Sequence, residues 1–354
     1  MSNVFGRLLR LSTFGESHGP AIGGMLDGVP PGVRIDWDRV TVELGRRRPG
    51  QSALSTARQE ADAFEVLSGV HQGVTTGAPI GFLLRNQDAR SGDYQPMESA
   101  YRPAHADATY DLKYGLRDPR GGGRSSARET ANWVFAGAIA RQLIPGFEPR
   151  AWVDQVGPIR MVSAEEEYSL EAIEATAVRC PEPTTAAAMT ALIEQVRNEG
   201  DSIGGAIRCV LHGIPPGLGE PVFDKFQARL AQAMLSLNAV KGFEYGSGFE
   251  AASMRGSEHN DPAKTDGSGW ETNRAGGLLG GISDGRPISF RVGFKPTASI
   301  ARPQQTFDRD GNPIQLEIQG RHDPCVVPRA VPIVEALTSL VVADFVLLQS
   351  SRIL

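Results

Sequence analysis

Residues 16–32 read ESHGPAIGGMLDGVPPG, and residues 201–217 read DSIGGAIRCVLHGIPPG. Aligned without gaps, they share Ser17 with Ser202, Gly19 with Gly204, Ala21 with Ala206, Ile22 with Ile207, Leu26 with Leu211 and Gly28 with Gly213, and both end in PPG. An apolar run closed by such a tripeptide reads as a strand entering a turn. A second pair follows in the same order: GVTTGAPIGF at 73–82 and GISDGRPISF at 281–290. A third, weaker pair sets the helix-like ARETANWVFAGAIARQLI (127–144) against PRAVPIVEALTSLVVADFVLL (328–348). Three blocks kept in one order mark an internal duplication.

Working outward from that repeat, the chain reads as α+β. Two related halves, about 1–150 and 200–354, are joined by an Ala- and Glu-rich helical connector at about 164–199. The strands alternate apolar and polar residues beside Gly or PPG turns, which predicts antiparallel sheets with one face packed on helices. Two such halves are expected to stack as one pseudo-symmetric domain. DWDRVTVELGRRR predicts a short helix ended by Pro49. The apolar stretch 331–348 contains Pro332, Glu335 and Asp344, so it reads as a buried helix and not a membrane span. Stretches 85–123 and 250–277 are long and lack a helix or strand period, and loops of that length usually carry function.

Composition narrows the function classes. The chain has 354 residues, 40% hydrophobic and 22% charged, with a net charge of −5, which argues against a nucleic-acid or membrane-surface partner. Only five of the 36 basic residues are lysines; genome base composition is an ordinary explanation, and placement says more than the total. Three well-separated cysteines without a CxxC indicate a reducing, cytoplasmic compartment, and the N-terminal segment shows no signal-peptide core.

Several turns concentrate chemistry. His18 in FGESHG, His105 in RPAHAD and His322 in GRHDPC are three of the six histidines, each in a turn rich in Gly, Arg or Asp. Histidine exchanges protons near neutral pH. GESHG resembles a nucleophile elbow, but an apolar strand follows it where an elbow needs a helix. Its glycines instead let backbone N–H groups approach a ligand, with Ser17 and His18 beside it. RRRPG (46–50) clusters guanidinium groups suited to phosphate and carboxylate. RGGGRSSARET (120–130) sets a glycine-rich loop and Arg120, Arg124 and Arg128 at a helix start, an anion site, with Ser125 or Ser126 as cap and Glu129 completing a capping box with Ser126. It carries neither GK[ST] nor GxGxxG. KPTASI (295–300) holds one of the few lysines after a strand, and Arg321, His322 and Asp323 share one turn before the last helix.

FGESHG, DGVPPG, RRRPG, the RP-HAD-TY-KYG run at 102–115, RGGGRSSARET, KPT-SI and GRHDPC occur in an order that resembles chorismate synthase, over residues 15–332. The resemblance implies a β-α-β sandwich with pseudo-twofold halves, usually a homotetramer. It implies 1,4-elimination of phosphate from 5-enolpyruvylshikimate 3-phosphate to give chorismate, with reduced FMN and no net redox change. By motif, His18 would lie close to the flavin, His105 would protonate the leaving phosphate, and Asp323 would help remove the C6 proton, with Ser17 and Ser126 in support. Arg46, Arg47 and Arg48 would bind the substrate anions. FMN contacts would fall on Arg124, Ser125, Ser126, Asn238, Ala239, Gly280, Lys295, Pro296, Thr297, Ala298, Ser299 and Arg321. Reduced flavin would come from an external reductant.

This sequence departs from the family pattern at Ala104, where glycine is common, at Ala298, where a serine hydroxyl is usual, and at Ala53, where relatives often carry a basic residue. The last weakens a case for NADPH binding. An NADPH-dependent flavin reductase and a non-catalytic phosphometabolite-binding module are the alternatives; the histidines and Asp323 in the loops argue against the latter.

Overall fold

The duplicated stretches fold into matching strands. The computed structural model describes residues 3–50, 61–86, 99–119, 121–162, 167–318 and 323–352. The chain opens with β1 (Val4–Phe5), β2 (Arg10–Gly15), β3 (Ala21–Asp27) and helix α1 (Trp37–Arg47). β4 (Phe64–Val66), the hairpin β5 (Val70–His71) to β6 (Val74–Thr75), and β7 (Ile80–Arg85) follow, then α2 (Asp107–Tyr114) and α3 (Thr130–Gln142). Next come β8 (Glu148–Val156), β9 (Ile159–Arg160), α4 (Leu170–Glu174) and α5 (Pro183–Asn198). After them lie β10 (Gly205–His212), α6 (Phe226–Leu235), β11 (Val240–Tyr245), α7 (Gly256–His259) and the hairpin β12 (Leu278–Leu279) to β13 (Ile282–Ser283). β14 (Ile288–Phe294), the hairpin β15 (Gln304–Phe307) to β16 (Pro313–Leu316), and the long helix α8 (Val327–Ser350) complete the chain.

Two five-stranded antiparallel sheets result, ordered β1-β2-β3-β7-β4 and β9-β8-β10-β14-β11. Position for position, the repeated pairs coincide: β3 with β10, β7 with β14. Helix α1 leaves β3 as α6 leaves β10, and α3 follows β7 as α8 follows β14. The expected partition differs in one respect. β8 and β9 precede the connector helices α4 and α5, yet they pair into the second sheet. That sheet therefore begins at Glu148, because β8 takes the place beside β10 that β2 takes beside β3.

Helices α3 and α8 lie between the sheets. α3 packs on β2, β3 and β7, and α8 on β8 and β10, and the two helices pack on each other. One hydrophobic cluster runs through all of these layers. The rings of Phe82 and Phe135 stack at 4.1 Å on one side, and those of Phe226 and Phe345 at 5.2 Å on the other. At the crossing, a Cβ on Gly137 would sit 2.5 Å from the Ala336 carbonyl oxygen. The missing side chain is what lets the helix backbones approach.

α8 is long and apolar enough to cross a membrane, but it is largely buried in the protein. Its two acids explain why it belongs there. Glu335 accepts from the Ala151 backbone N–H (3.0 Å) and from Arg46 (2.5 Å). Asp344 accepts the backbone N–H groups of Arg7, Leu8 and Leu9 at 2.8–3.0 Å and Arg229 at 3.2 Å. Buried carboxylates saturated in this way pin β8 and the turn between β1 and β2 to the helix. Within the stretch expected to lack periodicity, the structure places α2. Only Asp107 of that helix is buried, so it has almost no apolar stripe for a sequence pattern to register.

Candidate active site

The site begins at the turn between β2 and β3. Ser17 is buried, its Oγ 3.1 Å from His18 Nδ1. Asn86 closes the turn: its amide donates to the carbonyls of Glu16 (3.0 Å) and Gly19 (2.8 Å). Against the imidazole lies Gly121, in the left-handed region at φ +78°, where a Cβ would fall 2.5 Å from His18 Nδ1. The glycine-rich loop thus rests on the first histidine.

From Gly121 the chain turns through short 3₁₀ segments into α3. Ser126 accepts from the Arg128 backbone N–H at 3.2 Å, as a cap should. The expected capping box with Glu129 does not form: Ser126 Oγ takes the Arg128 N–H and not that of Glu129, and the Glu129 carboxylate turns to Arg124 (2.6 Å) and Asn132 (3.0 Å). Charge pairing with Arg124 outcompetes the return bond to Ser126. Arg124 also donates to Gly15 O (3.0 Å) and Thr13 Oγ1 (2.7 Å), so its guanidinium holds the loop to β2.

His105 enters from the segment before α2. Asp107 Oδ1 lies 2.9 Å from its Nδ1. The same carboxylate takes Arg102 in a fork at 2.7 and 2.8 Å, and Arg117 at 3.3 Å. Burial alone would raise the Asp107 pKa; the hydrogen bonds from Arg102 and His105 outweigh it and hold the carboxyl well below the usual carboxylate range. Arg102 also donates to Gly121 O at 3.1 Å, tying the His105 segment to the loop on His18. A cavity of about 1070 Å³ opens here, lined by His105, Asp107, Gly121, Arg124, Ser125 and Trp133 among others.

The arginine triplet divides. Arg46 is buried among Glu43 (2.7 Å), Glu174 (2.8 Å) and Glu335 (2.5 Å). Burial pulls its pKa down, but the carboxylates of Glu335, Glu43 and Glu174 leave it above the ordinary value. Arg47 pairs with buried Asp62 at 2.9 Å and donates to Thr130 Oγ1 at 3.2 Å. Burial, with Arg329 and Arg128 nearby, lowers its guanidinium to about 10 against the pull of Asp62, so it stays charged at neutral pH. Asp62 also pairs with Arg128, whose Nε donates to Asn86 Oδ1 at 2.8 Å. One buried chain therefore runs from Arg47 through Asp62, Arg128 and Asn86 to the His18 turn. Of the three, only Arg48 is exposed.

The second half supplies a further group. Asn238 donates to Ser125 O at 2.7 Å, while its Oδ1 is buried and accepts no hydrogen bond among the described residues. Ala239, at φ +66°, accepts the Lys295 backbone N–H at 2.9 Å. Burial, with Lys241 close by, lowers the Lys295 pKa. From Lys295 the chain runs through Pro296, Thr297, Ala298 and the buried Ser299. Ser202 donates to Thr297 O at 2.8 Å, and Thr297 Oγ1 to Asp323 O at 3.1 Å. Asp323 itself pairs with Arg329 at 2.5 Å. Gly280 forms the β12–β13 turn. This group meets the first-half loops through Asn238 and Ser125, and it does not line the cavity. Ala53, Arg120, Arg321 and His322 lie outside the described residues. The three cysteines are buried; burial pushes the Cys180 thiol up to about 11 and Cys325, beside Asp323, up to about 12, which makes them inert at neutral pH.

Sequence reading did not single out Asp107, Arg102, Asn86, Asp62 or Arg329. The His-x-Asp spacing in RPAHAD was the one available signal; the others depend on long-range contacts that no local pattern encodes.

The chorismate synthase family model matches residues 9–347. A chorismate synthase of Christiangramia forsetii is 54% identical over 349 residues, covering 99% of this chain and 98% of that protein. One of Parabacteroides distasonis is 52% identical over 354 residues, with 99% of each covered. A solved crystal structure of a chorismate synthase superposes with a TM-score of 0.77 at 30% identity, covering 98% of this chain and 93% of that one. With its fold, its duplicated sheets and nearly its whole length matched, the chain belongs to the chorismate synthase family and is a lyase of aromatic biosynthesis.

Proposed function

We propose that the loops carrying His18 and His105, with the Asn238–Ser299 side of the second half, bind reduced FMN and 5-enolpyruvylshikimate 3-phosphate and eliminate phosphate in a 1,4 manner to give chorismate. The observation that carries this reading is His105, fixed by Asp107 on the wall of the cavity. A proton donor held there meets what phosphate departure requires, an effect typically of about 10²–10⁴-fold.

The residues suit a flavin. Asn238 Oδ1 is a buried acceptor without a donor among the described residues, and a flavin ring N–H is such a donor. Ser125, Ser126, Ala239, Gly280, the 295–299 run and Arg321 are the further candidate contacts. Arg124, engaged by Glu129 and β2, shapes the loop. When bound, reduced FMN would supply electron density to a substrate whose C6 proton is poorly acidic, without net redox change. Overall the C–O bond to phosphate and one C6–H bond break, and one C=C bond is gained. His105 gives the leaving phosphate its proton; Asp323, steadied by Arg329, is the candidate acceptor of the C6 proton. Ser17 and Ser126 hold the loops that carry these groups. Of the triplet, Arg48 is our candidate for a substrate anion, because it is exposed while Arg46 and Arg47 are buried.

We take the 354 residues as one domain of two related halves, working in the cytoplasm as a homotetramer supplied with reduced flavin by an external reductant. The test is anaerobic assay with dithionite-reduced FMN and the substrate. Phosphate release with chorismate formation is expected, and a well-folded sample without turnover overturns the reading. NADPH oxidation by the protein with FMN would favour the reductase alternative.

A further inference from the structure

We infer that Asp107 is a positioning residue that fixes His105 with its proton on Nδ1 and reserves Nε2 for the reaction. The inference rests on the reading of His105 as the proton donor and adds how that donor is kept in register. Every partner of Asp107 is a donor. Oδ2 accepts from Arg102 Nε (2.7 Å) and the Arg102 backbone N–H (3.1 Å). Oδ1 accepts from Arg102 Nη2 (2.8 Å), faces Arg117 Nη1 at 3.3 Å, and lies 2.9 Å from His105 Nδ1. An ionised carboxylate has no proton to offer, so Nδ1 must carry one. The neutral ring then leaves Nε2 bare, and the ring can gain or release a proton only there.

Two guanidinium groups around one carboxylate also say what Asp107 does not do. Arg102 and Arg117 neutralise it and keep it ionised, so it clamps the imidazole without taking the proton. The clamp reaches further. Arg102 Nη2, bonded to Asp107, also donates to Gly121 O, and Gly121 lies on the His18 ring. One carboxylate thereby sets the orientation of His105 and, through Arg102, the loop that packs on His18.

An asparagine at this position keeps the shape and loses the logic. Its amide NH₂ must replace one oxygen. At Oδ2 it would face Arg102 Nε–H and a backbone N–H, neither of which can become an acceptor. At Oδ1 it would also displace Arg102 Nη2 and meet Arg117 Nη1, but there it faces His105, the one partner that can accommodate it, by moving its own proton to Nε2. Asp107→Asn is therefore expected to switch the tautomer.

The experiment is ¹⁵N spectroscopy of histidine-labelled protein in mildly alkaline buffer, with the His105 signal assigned by its loss in His105→Gln. Wild-type His105 should be the Nδ1–H tautomer. Asp107→Asn should show Nε2–H or a mixture, with kcat down by about a hundredfold or more and KM changed by less than about threefold. Wild-type protein with Nε2–H or mixed tautomers overturns the inference, and so does an Asp107→Asn variant that keeps Nδ1–H. If that variant does not fold, the wild-type spectrum alone decides. If the tautomer switches while kcat holds, the positioning role stands and the assignment of His105 as the acid falls.

Discussion

Replacing Gly137 by alanine should weaken the joint between the two halves, and the structure gives both sign and size. In an open helix, Gly→Ala is stabilising by about 1 kcal/mol. At Gly137 the new methyl would meet Ala336 O at 2.5 Å and Ala336 Cα and Cβ at 2.6 Å, where α3 crosses α8. These are mainly backbone atoms of a helix packed on both sides, so relief requires moving α8 itself. Overpacking of that kind costs about 1–3 kcal/mol, with the upper end expected where backbone must shift. The net expectation is a loss of about 2 kcal/mol. Gly45 on α1 supplies the control: it too is helical, but an added Cβ would meet nothing within 4 Å. Gly45→Ala should gain up to about 1 kcal/mol. Urea unfolding, read by the midpoint at unchanged slope, measures both. The reasoning fails if Gly137→Ala is as stable as wild type, or if the two variants shift in the same direction.

Asn238→Ala removes both the bond to Ser125 and the unpartnered buried Oδ1, so FMN affinity measured by fluorescence titration should fall about tenfold, or about 1.4 kcal/mol; unchanged affinity would remove Asn238 from the flavin site. Arg47→Ala strips Asp62 of one of its two guanidinium partners in a buried setting and should cost about 3 kcal/mol in urea unfolding. Arg48→Ala should leave stability within about 0.5 kcal/mol while raising substrate KM about tenfold; the reverse pattern would undo the division of the triplet.

The repeat was legible because strand-plus-turn patterns survive duplication: the paired PPG stretches became β3 and β10, which pair with the equally repeated β7 and β14. The helix DWDRVTVELGRRR was legible too, since Asp36 caps it and the apolar stripe through Val40 and Leu44 faces the core. The position of β8 was not. Its place beside β10 is a long-range pairing, and its sequence lies on the near side of two connector helices. In the site, the turn histidines stood out by residue type. What they touch did not: Asp62 reaches Arg47 and Arg128, and Asn86 reaches Glu16 and Gly19, across spans that leave no periodic trace.

The excess of arginine over lysine acquires a structural meaning beyond base composition. Among the described residues Arg46, Arg47, Arg102, Arg117, Arg128, Arg141 and Arg179 are buried, and no lysine is. Several of these bridge a carboxylate and a backbone carbonyl at once. Arg102 joins Asp107 to Gly121 O, and Arg117 joins Asp111 to Ala100 O. Arg128 joins Asp62 to Arg85 O, and Arg179 joins Glu174 to the carbonyls of Pro328 and Arg46. Loops without ladder partners, and the ends of strands and helices, leave buried carbonyls that must still be satisfied. A guanidinium has five donors in a planar fork and can serve a carbonyl and a carboxylate together, whereas a lysine offers one nitrogen. Around this site arginine therefore does for irregular backbone what a neighbouring strand does elsewhere. Counting arginines in a motif for that reason overstates how many reach the substrate. The ones to assign to it are those that stay exposed to solvent, as Arg48 does.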